Sequence, residues 1–135
     1  MKKKLKKILL ALATLALFTA VVFVAARWGW KLFGFMTCRM FVGIEEVTVD
    51  RESVYIKGVD VNSLPSYFVG YIYDIDGTDM YVGVKYNAFL GVLPDETGDF
   101  EITIPVKDAE IRTVYLKNNS NTRKIWDIEN GKARQ

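Results

Sequence analysis

The sequence predicts an all-β domain, a small antiparallel two-sheet sandwich of immunoglobulin-like kind with about seven strands, preceded by one N-terminal transmembrane helix. Three observations carry this. Residues 8–26, ILLALATLALFTAVVFVAA, hold no charge. From Gly43 the apolar residues alternate with a period of two, with no helical period among them. Asp, Asn, Gly and Pro punctuate that alternating stretch at short intervals.

A bilayer core of about 30 Å takes about 20 apolar residues in a helix rising about 1.5 Å per residue. The uncharged run meets that length, and only a helix satisfies the backbone of a single span in lipid. Lys2, Lys3, Lys4, Lys6 and Lys7 precede it. Their positive charge predicts a cytoplasmic N-terminus and an extracytoplasmic C-terminal part. Trp28 and Trp30, with Leu32, Phe33 and Phe35, suit an interfacial aromatic belt. Two alternatives use the same residues. Val24-Ala25-Ala26 is an acceptable signal-peptidase site, so cleavage after Ala26 would release a secreted β domain; the apolar core, however, exceeds the roughly 7–15 residues usual for a secretory signal. Lipid modification of Cys38 would follow Phe35-Met36-Thr37, a poor lipoprotein signal. The expected organisation is therefore a basic cytoplasmic stretch (1–7), a signal anchor (8–26), a juxtamembrane aromatic linker (27–41), an extracytoplasmic domain (42–129) and a frayed tail (130–135).

The formal charge of +2 averages two compartments. Residues 42–135 carry ten basic and sixteen acidic residues, a net of −6. That balance excludes a nucleic-acid surface on the domain and assigns the basic N-terminus to topology and anionic lipid. Cys38 is the only cysteine, so no intramolecular disulfide forms. A buried, inert thiol is the preferred reading over pairing between two chains.

In chain order, Ile44–Asp50 and Ser53–Val61 read as strands with a polar break between them. Ser66 to Tyr86 reads as a hairpin with Asp76-Gly77 as its two-residue turn. That turn sets Tyr71 opposite Val82, Gly70 opposite Gly83 and Asp74 opposite Asp79, with Tyr67, Val69, Tyr71, Tyr73 and Ile75 sharing a core face with Met80, Val82, Val84 and Tyr86. Asn87–Gly98 is a connection. Asp99–Val106, Glu110–Lys117 and Thr122–Ile128 complete the strands.

The chemistry read from the chain is mostly exclusion. Without histidine the Ser-His and Cys-His nucleophile pairs cannot form. One cysteine cannot build a structural zinc site, and no phosphate-binding or dinucleotide loop occurs. Asp74, Asp76 and Asp79 read as a solvated turn, since Gly77 falls where a calcium loop would not place it. Asp95, Glu96, Asp99 and Glu101 form a second acidic loop, and Asn118-Asn119-Ser120 matches a short glycosylation sequon. Catalysis and cofactors are not expected; a carboxylate-dependent hydrolase is the remaining enzymatic alternative. The expected function is a single-pass protein presenting its β domain as a binding or assembly module for an unidentified protein partner. The candidate contact is an apolar trough on the outer hairpin face, Phe68, Gly70, Ile72, Tyr81 and Gly83, where facing glycines leave room for another chain.

Overall fold

A computed structural model describes residues 1–61, 67–87 and 98–132. The chain is mostly β, with two sheets behind an N-terminal apolar helix. It divides into two compact units, Met1–Phe33 and Gly34–Gln135.

In the first unit, α1 runs from Lys2 to Trp28. Within its segment Lys2–Ala25 an 18-residue window reaches a mean hydropathy of 2.7, with none of that window buried, and the helix is long and apolar enough to cross a membrane. A 3-10 helix, Gly29–Thr37, follows and is kinked at Gly34.

The second unit holds eight strands among the described residues: β1 (Val42–Val49), β2 (Ser53–Asp60), β3 (Tyr67–Asp76), β4 (Asp79–Asn87), β5 (Asp99–Pro105), β6 (Thr113–Lys117), β7 (Thr122–Asp127) and β8 (Gly131–Lys132). The first seven match the strands expected from alternation; β8 lies in the tail expected to fray. One sheet has the order β1-β2-β5 and the other β3-β4-β6-β7-β8. Three turns are closed the same way. The side chains of Asp50, Asn118 and Asp127 accept hydrogen bonds from the backbone N–H groups two and three residues on. These bonds hold the Asp50 and Asp127 carboxyls below the usual carboxylate range.

The pairing is not wholly antiparallel, as expected, because β4 runs parallel to β6 from Asp79 with Thr113 to Val82 with Leu116. A parallel pair needs a crossover, and here β5 in the other sheet lies on that path. Beyond Val82 the edge of β4 passes to another partner: Arg39 forms a bridge with Val84.

The hairpin register also departs from the expected one. Tyr71 faces Val84, Ile72 faces Gly83, Ile75 faces Met80 and Asp76 faces Asp79. The turn is therefore Gly77-Thr78. Gly77 has φ +63° and Thr78 is not left-handed. A positive φ at the first central residue alone is the II′ pattern, which needs glycine there; Asp76-Gly77 as a I′ turn would also have forced Asp76 into the left-handed region. The offset is two residues, so the alternation of faces survives, but Tyr73, expected on the core face, is 43 % exposed because β3 is the edge of its sheet. Met80, Val82, Val84 and Tyr86 are all buried. A bulge between Phe68 and Gly70 then restarts the alternation on β3. Phe68 thereby turns inward, stacked on Phe100 with centroids 5.5 Å apart and edge-on to Tyr86 at 5.9 Å.

Both sheets send side chains into one buried cluster. Val42, Ile44, Val54, Ile56, Phe100, Ile102 and Ile104 come from one, and Met80, Val82, Val84, Val114, Leu116 and Ile125 from the other. Leu116→Ala should cost about 2–5 kcal/mol in a denaturant melt of the full chain in detergent, because its side chain is fully enclosed. Tyr73→Ala, on the edge strand and 43 % exposed, should cost less than about 1 kcal/mol. Equal losses would mean that β3, not the β4–β6 pair, bounds the core.

Candidate functional site

The five residues expected to frame an open trough do not do so. Phe68 is half-buried and packed against the core, and Gly70 lies opposite Lys85 rather than Gly83. Ile72 and Tyr81 remain on the outer face, both half-buried. Gly83 is buried, and the chain itself covers it. A Cβ placed on Gly83 would lie 2.5 Å from Cys38 Sγ and 2.8 Å from Phe35 Cδ1, distances no real Cβ sustains. The space that the missing side chain leaves is filled by the segment just after the helix. The sequence signal for it was present in Val82-Gly83-Val84, a glycine inside an otherwise β-branched strand, which marks close approach by another backbone. What the sequence did not tell is that the approaching backbone is residues 35–39 of the same chain.

Polar contacts fasten that segment on either side of Cys38. The Lys85 ammonium donates to the Thr37 carbonyl at 3.2 Å, and the Arg39 N–H donates to the Val84 carbonyl at 2.8 Å. The Arg39 guanidinium pairs with Asp60, whose side chain is 2 % exposed, and lies 5.5 Å from the centroid of the Tyr86 ring. Asp60 ends β2, so this ion pair ties the segment to the other sheet. Tyr86 donates its hydroxyl to the Gly98 carbonyl at 2.7 Å, and burial pushes its phenol up from the ordinary value. The Lys117 ammonium sits 5.0 Å from the ring centroids of both Phe35 and Tyr81. Tyr81 stacks on Tyr115, its neighbour across the parallel pair, at 5.2 Å.

Cys38 is buried and free, and desolvation pushes its thiol up to about 11 despite the nearby Lys85. It is therefore a neutral thiol near pH 7, a poor nucleophile and a poor metal ligand. Elsewhere, Asp74 faces Tyr81 rather than Asp79, and Asp74 and Asp76 are exposed. Among the described residues no three acidic or sulfur side chains gather to hold an ion. Asp95 and Glu96 lie outside the described residues. At the far end, Asp50, Asp108 and Glu110 rim a shallow cleft floored by Val49, Ile111 and Trp126. Asp50 closes its own turn there and Glu110 is held by Arg112 at 2.9 Å. At the N-terminus the five lysines line the start of α1 and are exposed, and Trp28 at its end is 54 % exposed.

No protein-family model, curated protein or solved structure matches the chain.

Two outcomes follow for the docked segment. Gly83→Val should expel Phe35 and Cys38, raising the alkylation rate of Cys38 at pH 8 by about tenfold or more over the parent chain. In the parent the fold favours the neutral thiol. As pH rises above the ordinary thiol value toward 11, the unfolded chain ionises first and the docked state loses stability. An unchanged alkylation rate in Gly83→Val would place Cys38 away from Gly83. Separately, Arg39→Ala removes the cation beside the enclosed Asp60 carboxylate and should cost about 3 kcal/mol, the lower bound for breaking a buried pair, since Arg39 is a quarter exposed. A loss under about 1 kcal/mol, the range of a surface pair, would show that the pair does not hold the segment.

Proposed function

We propose that the protein is a single-pass membrane protein, with its N-terminus in the cytoplasm, presenting a two-layer β-sandwich outside the membrane as a binding or assembly module without catalysis. The sandwich packing is inferred from the single cluster that both sheets fill. It is immunoglobulin-like in its layers and size, while the parallel β4–β6 pair sets its strand order apart.

The observation that carries the reading is the distribution of exposed apolar surface. From Ile8 to Phe23 the large side chains of α1 are exposed, and so are Trp28, at 54 %, and Leu32, at 89 %. Surface of this extent needs a cover, and lipid is the one its length fits. Release after Ala26 would leave Trp28, Leu32 and Phe33 in water. The five exposed lysines before the apolar run set the orientation. For the partner, we infer a contact on the part of the outer hairpin face that residues 35–38 leave uncovered: Ile72, Tyr81 and its stacked neighbour Tyr115, a half-exposed aromatic surface of the kind enriched at interfaces.

Membranes carrying the full chain test this directly. The expected result is an intact mass that retains residues 1–26 in the carbonate-washed pellet. The β domain should be cut by protease added from the extracytoplasmic side only. A mature form beginning at Arg27 in the soluble fraction would overturn the anchor, and cleavage from the cytoplasmic side would overturn the orientation.

A further inference from the structure

The small sheet has an outer face of its own, and its character changes along its length. Away from the helix junction it carries a charged ladder. Lys57 stands 3.6 Å from Glu45 and 4.0 Å from Glu101, with Tyr55 and Thr103 beyond. Toward the junction it turns apolar. The first rung of the β1–β2 ladder is Val42 with Asp60, followed by Gly43 with Val59. Flanking that rung, Phe41 is 74 % exposed and Val61 63 % exposed. Gly43 adds no side chain, and the Val59 and Val61 methyls close over it, within 3.4 Å of where its Cβ would be. Phe41, Val59 and Val61 thus make one apolar patch on the outside of the sheet, bordered on the β5 side by the exposed Asp99, which faces Val59.

Through Phe41 this patch lies close in sequence to the apolar helix. Trp28 ends α1, and Arg39 is already fixed on β4. Twelve residues separate Trp28 from Phe41 in the chain. Under the anchor reading, so short a tether gives the patch a high effective concentration at the bilayer surface. The charged ladder lies on one side of the patch and Asp99 flanks it on β5, so charged groups border the apolar surface on two sides, as they do at a surface whose apolar part alone enters lipid.

We propose that the Phe41, Val59 and Val61 patch docks on the bilayer surface, giving the β domain a second, shallow membrane contact besides its helix. The proposal rests on the anchor reading above. Apolar groups leaving water for the acyl boundary are stabilised in proportion to the area they bury, and tethering removes most of the entropic cost of bringing them there.

The test uses the full chain, reconstituted in phosphatidylcholine–phosphatidylglycerol vesicles, with Phe41→Cys, Val61→Cys or Ile128→Cys labelled by an environment-sensitive fluorophore. The buried Cys38 thiol stays unlabelled at neutral pH, as the parent chain checks. Ile128 is 56 % exposed and lies by the turn at the opposite end of β1 and β2. Labels at 41 and 61 should emit blue-shifted light and lose intensity to nitroxide-bearing lipid, while the label at 128 does neither. Emission at 41 and 61 matching that at 128 would overturn the proposal and leave the anchor standing. A blue shift without loss to nitroxide lipid would mean a protein occupant, and it would overturn the proposal too. Loss of the chain from carbonate-washed vesicles would remove the anchor reading and this inference with it.

Discussion

The missing side chain at residue 83 is what the rest of the domain depends on. Any Cβ there would collide with Cys38 and Phe35. Because it is absent, the segment after the helix lies down on the large sheet, and its backbone reaches the edge of β4 just where β6 stops. Arg39 then takes the Val84 carbonyl and carries its guanidinium to Asp60 on the other sheet. Thus one glycine seats the segment, the segment completes the edge of β4, and the Arg39–Asp60 pair joins the two sheets where the chain passes from one to the other.

The hairpin shows how a wrong register can leave a right core. An Asp-Gly pair is read as a I′ turn, yet the glycine here takes the first central position and Thr78 the second. That moves the partner of every β3 residue by two, and a shift of two preserves the side of the sheet on which each residue falls. The burial of Met80, Val82 and Val84 follows from alternation alone and was legible in the sequence. The identity of each cross-strand neighbour depends on turn chemistry and was not. The bulge at Val69 is harder still, because Gly70 beside it marks a bulge or a close approach equally well, and nothing nearby tells which.

Local signals were readable throughout. Strand positions, the apolar helix and the polar turns come from period, composition and capping residues within a few positions of one another. The parallel β4–β6 pair and the Arg39 bridge join residues far apart in sequence, and nothing near Thr113 or Arg39 encodes its partner. The aromatic stretch after the helix misled for a related reason. Trp28 and Leu32 are exposed, as an interfacial belt requires, but Phe35 and Cys38, a few residues on, belong to the β unit. Composition is continuous across that boundary while the packing is not.

It follows that the β domain does not begin where alternation begins. A chain cut at Val42 would keep all eight strands yet bare the face over Gly83, leave the Val84 carbonyl without the Arg39 N–H, and strand the enclosed Asp60 carboxylate without its guanidinium. Each change costs free energy in the same direction, and the last is the largest. A cut after Ala26 leaves all three intact. The β unit therefore requires residues 35–39, and the exposed apolar residues of α1 make a separate demand, for a cover of their own. The short segment from Gly34 to Phe41 continues the composition of the helix but belongs to the β unit, because its contacts are with Gly83, Val84 and Asp60.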